Sequence, residues 1–112
     1  MLGIFFGELI GTFFFISVIL ITASKIYGAF AIGLALTIGI LFVSKFSLGA
    51  LNPAVAIALW AKGMIKASTT IIYIIAEIIG AGLAVLWWRW GSSSDSSKVT
   101  HGFPHNPLLS GG

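Results

Sequence analysis

Two acids, one Asn-Pro pair and two histidines are the residues whose types and spacing could do chemistry. Glu8 and Glu77 each stand alone in a long apolar stretch. An ionisable group in hydrocarbon is expensive and therefore turns toward protein or water. Such a carboxylate can relay protons, ligate an ion, or accept hydrogen bonds from buried N–H groups, and the residue type leaves all three open. Asn52-Pro53 predicts a helix that starts at Pro53. Asn is a favoured N-cap and Pro is tolerated at the first helical position. That helix end carries partial positive charge, and the Asn52 amide can donate to a passing oxygen. His101 and His105 are four apart, the spacing of a shared helix face, but Gly102, Pro104 and Pro107 oppose a helix and no third ligand is near. They are read as part of a solvated tail. No cofactor, metal site, nucleophile–base pair or phosphate-binding loop is expected, so no enzyme is.

The elements that must position these residues follow from composition. The chain has 112 residues, 58% of them hydrophobic and 8% charged, with no Cys and a mean hydropathy of +1.09. A soluble domain carries roughly 25% charged residues, so a water-exposed surface cannot be built from this set. That excludes a soluble enzyme, a disordered regulator and a nucleic-acid binder that works by neutralising phosphates. The formal charge of +3 comes from six Lys/Arg against three acids and forms no basic patch. The natural solvent is a bilayer.

Composition breaks near Gly91. Beyond it only Val99, Phe103, Leu108 and Leu109 are apolar, and Ser92 to Ser97 reads as a flexible linker. The chain is divided into a membrane part, 1–90, and a polar flexible tail, 91–112. Transmembrane spans are predicted at about 2–23, 29–46 and 69–90. The first lacks the basic start and small-residue cleavage site of a signal peptide. Trp87, Trp88, Arg89 and Trp90 close the third, as interfacial residues do. Between the second and third lies an apolar run, 48–61, too short to cross about 30 Å of hydrocarbon and suited to a re-entrant segment. Irregular backbone at that depth is tolerated only where protein covers it or it lines a water-filled cavity. Small residues repeat every four positions at Gly3, Gly7 and Gly11, at Ala29 and Gly33, and at Ala76, Gly80 and Ala84, predicting close helix contacts. With the N-terminus inside, Lys45, Lys62 and Lys66 oppose Lys25, Arg89 and Lys98, which is no positive-inside bias.

Three stretches, in order, carry a family resemblance. Gly49-Ala50-Leu51-Asn52-Pro53-Ala54-Val55 resembles the Asn-Pro-Ala loop of the major intrinsic protein family, the aquaporins and glycerol facilitators. Glu8-Leu9-Ile10-Gly11-Thr12-Phe13-Phe14 resembles its first-helix motif. Tyr73 to Ala81, Tyr-Ile-Ile-Ala-Glu-Ile-Ile-Gly-Ala, is similar to its third-helix motif, where Gln is more usual at position 77. The resemblance covers about 1–90 and one of the family's two repeats. It implies an all-α integral, multi-pass membrane protein: three transmembrane helices plus one re-entrant half-helix, half of an aquaporin-like fold. Asn106-Pro107 lies in the polar tail and is read as coincidence.

The resemblance also implies roles. Asn52, Pro53, Ala54 and Val55, the backbone of Gly49 and Ala50, and Ile32 would shape the pore and its selectivity. Glu8 and Glu77 would brace the loop by accepting its N–H groups. An aliphatic Ile32 where the family often has an aromatic implies a less polarised filter. Ser47-Leu48-Gly49-Ala50 stands where Ser-Gly-Ala-His is common. The function expected is a passive half-channel for water or small neutral solutes such as glycerol. Its second half would come from an inverted copy (a homo-oligomer) or a second half-channel chain. The rival reading is a non-conducting, channel-derived structural subunit or a truncated gene product.

Overall fold

The computed structural model describes residues 1–92; the readings made on His101, His105, Asn106-Pro107 and the rest of the tail lie outside the described residues. Four helices are present: α1 (Leu2–Thr22), α2 (Gly28–Val43), α3 (Pro53–Ala61) and α4 (Ala67–Ser92). No strand occurs among the described residues. Each helix is apolar around its whole circumference, the pattern of a helix surrounded by lipid or protein rather than water. α1 is the central element and packs against both α4 and α2, while α3 packs on α4.

α1 and α4 are long and apolar enough to cross a membrane, over Leu2–Thr22 and Ala67–Gly91. α2 is shorter. Its 16 residues rise about 24 Å against a hydrocarbon core of about 30 Å. The sequence predicts this element from about Ala29 to Val43, at the longest to Phe46, and the helix ends at Val43. Ser44 turns its hydroxyl back to the Leu41 carbonyl (2.8 Å), and Phe46 and Ser47 donate their N–H groups to the Val43 carbonyl at 2.8 and 2.9 Å. The polar pair Ser44-Lys45 thus ends the apolar run in a turn. α4 extends beyond the predicted 69–90 at both ends.

The connections are tight. After α1, Lys25 donates to the Thr22 carbonyl and Gly28 to the Lys25 carbonyl, each at 2.9 Å. A Cβ on Gly28 would lie 2.3 Å from the Thr22 carbonyl oxygen, so this turn admits only glycine.

Helix contacts follow small residues, in a register that tertiary packing selects. Ala76, Gly80 and Ala84 are buried along α4, and Gly7 and Gly11 along α1. At Gly80 a Cβ would sit 2.5 Å from the Leu9 carbonyl oxygen, so the two backbones touch. The predicted α2 stripe is corrected. Ala29 and Gly33 are exposed, with nothing within 4 Å of a Cβ on Gly33. The buried stripe is Ala35, Gly39 and Val43. It has the same four-residue spacing, and it faces α1 because that register opens room for a side chain arriving from the loop before α3.

Many large apolar side chains point outward, among them Phe6, Phe30, Leu41, Phe42, Ile78 and Leu86. In water that surface would drive aggregation; against lipid tails or a partner helix it is compatible.

Candidate functional site

The site is the segment from Ser47 to Asn52 and the start of α3. Two of its residues adopt left-handed backbone: Gly49 at φ +69° and Leu51 at φ +55°. For glycine this conformation is free; for leucine it costs roughly 1–2 kcal/mol. The cost at Leu51 is offset by two interactions. Its N–H donates to Oε1 of Glu8 at 2.8 Å. Its side chain, 1% exposed, fits a notch left by two missing side chains. A Cβ on Gly11 would lie 2.6 Å from Leu51 Cδ2, and one on Gly39 would lie 2.9 Å from Cδ1.

Side chains also meet two further donors of the loop besides that of Leu51. Leu48 N–H donates to the Tyr73 hydroxyl at 2.9 Å, and Gly49 N–H to Ser47 Oγ at 3.1 Å. Ser47 Oγ in turn donates to Oε2 of Glu8. A buried N–H left unpaired costs about 1–3 kcal/mol, so these contacts decide whether the loop can hold a non-helical shape. The carbonyls of Leu48, Gly49, Ala50 and Leu51 accept no hydrogen bond among the described residues. The segment is therefore asymmetric: the donors of Leu48, Gly49 and Leu51 are tied to side chains, and its carbonyls are unspent.

Asn52 is extended (φ −160°, ψ 128°) and caps α3, its Oδ1 accepting from Ala54 N–H at 2.8 Å, with Pro53 in the first helical turn. Asn52 and Ala54 are exposed, Val55 is 42% exposed and Pro53 half-buried. They form an open face at the positive end of α3. Ala50 is buried with Ala56 and Tyr73, against Ile4, Leu59, Ile65 and Ile74, which anchors the loop and α3 to α1 and α4.

The predicted residues are not all brought together. Glu8 and Glu77 converge on the loop from α1 and α4, fully buried at 0% and 1% exposure. Glu8 makes both of its contacts to the loop. Glu77 lies beside the Glu8 carboxyl and the Asn52 backbone amide, and neither of its oxygens closes a hydrogen bond among the described residues. Ile32 sits half-buried in the first half of α2 and takes no part in the loop's hydrogen bonds. No cluster of three or more His, Asp or Glu that could hold a metal exists among the described residues.

Sequence reasoning gave Ser47 and Tyr73 no part in bracing the loop, and gave Leu51 a pore-lining carbonyl but no anchoring role for its side chain. Tyr73 had a legible signal, since it lies four residues before Glu77 and so on the same helical face. Leu51 had none, because nothing in its type announces left-handed backbone.

The family described as major intrinsic protein matches residues 1–111, which reaches past the 1–90 that the motifs cover. The chain is similar to Aquaporin Z of Photorhabdus laumondii subsp. laumondii, 35% identical over 113 residues, covering 89% of this chain and 49% of the relative. The chain thus spans about half the length of that curated relative. No solved structure matches it. Motifs, buried acids and extended match agree: this chain belongs to the major intrinsic protein family of membrane channels.

Proposed function

We propose that residues 1–90 act as one half of a passive channel for water or small neutral solutes such as glycerol. The observation that carries this reading is the asymmetric loop. Tyr73, Ser47 and Glu8 take the N–H groups of Leu48, Gly49 and Leu51, leaving the carbonyls of Leu48 to Leu51 to serve as acceptors along a solute path. Asn52, at the exposed positive end of α3, supplies the donor, and Val55 an apolar wall beside it. A neutral solute in single file exchanges its lost water contacts for these groups, while a cation meets the positive helix end and is disfavoured. Pro53 and Ala54 fix the helix start, Gly49 and Ala50 shape the loop, and an aliphatic Ile32 leaves the filter weakly polarised.

Three spans and a half-helix do not enclose a pore. Unpaired backbone acceptors in hydrocarbon cost several kcal/mol each, so the Asn52 face needs a covering element. An inverted copy, a second chain or further sequence of a longer protein would meet that need.

The test is stopped-flow shrinkage of vesicles that hold the pure protein, with water and glycerol compared and Asn52→Cys crosslinking run in parallel. Flux that falls in Asn52→Ala while membrane insertion persists supports the reading. A stable assembly with no flux overturns it and leaves a structural subunit.

A further inference from the structure

Contacts between the helices sort the charges onto two ends of the bundle. Ile4 of α1 packs on the Ala50, Ala56 and Tyr73 cluster, as do Leu59 of α3 and Ile65 just before α4. Phe13 meets Trp87, with ring centroids 6.5 Å apart. α1 and α4 therefore run in the same direction, and α3 returns to the end where both begin. α2 ends there too, since a Cβ on Gly3 or Gly7 would lie 3.8 or 3.0 Å from the Phe46 side chain. Lys45, Lys62 and Lys66 share this end and are exposed, while Lys25 and Arg89 lie at the other. The acids among the described residues, Glu8 and Glu77, are buried inside the bundle.

Two apolar grooves run inward from the lysine end. One, of about 340 Å³, lies between α1 and α2 from Leu2 past Phe6 to Ile10, and a further cavity of about 230 Å³ carries it on to Phe14 and Ile38. The other, of about 500 Å³, runs beside α2 along Ile38 and Leu41 and opens at Lys45. Phe42 and Phe46 line both grooves and form the ridge that separates them. No residue from 47 to 55 lines either groove, so they lie apart from the Asn52 face.

Depth and charge identify the occupant. From Leu2 to Phe14, α1 rises about 18 Å. One leaflet supplies about half of a hydrocarbon core of about 30 Å. A partner transmembrane helix would need a groove through both leaflets, whereas an acyl chain needs one. Two grooves on either side of one ridge suit two chains joined at a single head. At their mouth stands Lys45, an exposed cation with no acid at this end among the described residues, which complements a phosphate-bearing headgroup.

We propose that the α1–α2 face seats one anionic diacyl phospholipid of the surrounding leaflet, its chains astride the Phe42–Phe46 ridge and its phosphate at Lys45. Gly3 and Gly7 line the inter-helix groove and leave room in it for a chain. Lys62 and Lys66, at the same end, add to the positive potential that draws anionic lipid there. The seat uses none of the loop's donors or carbonyls and is independent of conduction.

Native mass spectrometry of the full chain, titrated with phosphatidylglycerol and with phosphatidylcholine of the same chains, tests the seat. The wild type should retain phosphatidylglycerol preferentially. Lys45→Gln should weaken that binding by about fivefold, the worth of one lysine near an anionic surface, and leave phosphatidylcholine binding unchanged. Lys25→Gln, at the opposite end, should change neither. Gly3→Leu keeps the charge but fills the groove, and should weaken both lipids. If Gly3→Leu does not fold, the wild type with phosphatidylglycerol carrying a photoreactive group in mid-chain decides, and crosslinks should map to Ile10, Phe14 and Ile38. Equal retention of the two lipids by the wild type, no greater loss in Lys45→Gln than in Lys25→Gln, or crosslinks spread evenly over α4 would overturn the proposal. The chain has no Cys, so Ile10→Cys gives a single site. Efficient disulfide formation between two copies at that site in lipid would make a second chain the occupant and overturn it as well.

Discussion

The backbone N–H of Leu51 donates to Oε1 of Glu8 at 2.8 Å across 43 residues of sequence. That contact ties the loop to the first helix and holds a leucine in left-handed backbone. Its removal should therefore act on the loop before it acts on the helices. Glu8→Gln keeps an acceptor for Leu51 and should retain most of the assembly. Glu8→Leu leaves the Leu51 N–H and the Ser47 hydroxyl unpaired, at about 1–3 kcal/mol each, and should lower the fraction that resists SDS unfolding. Equal stability of the two variants would contradict this.

Leu51 and Gly11 should be energetically coupled. Gly11→Ala drives a methyl to 2.6 Å from Leu51 Cδ2 and 2.7 Å from a Val43 methyl. Overpacking of this kind costs about 1–3 kcal/mol. Leu51→Ala empties the notch, at about 2–5 kcal/mol by analogy with soluble cores. The double variant should be more stable than the sum of the two effects, by about 0.5–3 kcal/mol. Rescue should be partial, since Val43 still opposes the new methyl. A double-mutant cycle on unfolding midpoints measures it, and simple additivity would refute the contact.

The α1–α4 seam gives a paired glycine test. Gly80→Ala forces a methyl against the Leu9 carbonyl at 2.5 Å, a contact with rigid backbone that cannot rotate away. It should destabilise by about 1–3 kcal/mol or more. Gly82→Ala, on the same helix with open space around it, should be neutral or slightly stabilising, because Ala favours helix over Gly by up to about 1 kcal/mol. Thermal midpoints in detergent distinguish the two.

Tyr73→Phe removes the acceptor of Leu48 N–H. A loss of about 1–3 kcal/mol is expected, localised to the loop. Amide exchange at Leu48 and Gly49 should quicken while the α1 and α4 amides stay protected. Uniform quickening across the helices would show instead that Tyr73 holds the whole bundle.

Asn52→Ala should cost about 1 kcal/mol through loss of the α3 cap, while Asn52→Ser, which can still cap, should cost less. If flux follows the amide rather than the cap, both variants should transport poorly despite their different stabilities. Parallel loss of flux and stability would make Asn52 a cap alone.

Much of this protein was written in local chemistry. Scarce charge and long apolar runs dictate a bilayer. Asn52-Pro53 dictates where α3 begins, since cap and ring preferences act within three residues. Glu8 and Glu77 announce themselves as acids that must face protein, because hydrocarbon makes any other placement costly. What tertiary structure decided lies in register and pairing. Two small-residue spacings exist on α2, and only the packing of Leu51 between Gly11 and Gly39 selects Ala35, Gly39 and Val43 over Ala29 and Gly33. The left-handed backbone of Leu51 is intrinsically unfavourable, so no local preference could foretell it; an acceptor 43 residues away and a notch on two helices make it stable. Likewise Glu8 and Glu77 look equivalent along the chain. Folding gives Glu8 the loop's donors and leaves Glu77 beside it with none, a difference that arises only when α1 and α4 deliver both carboxyls to the same few amides.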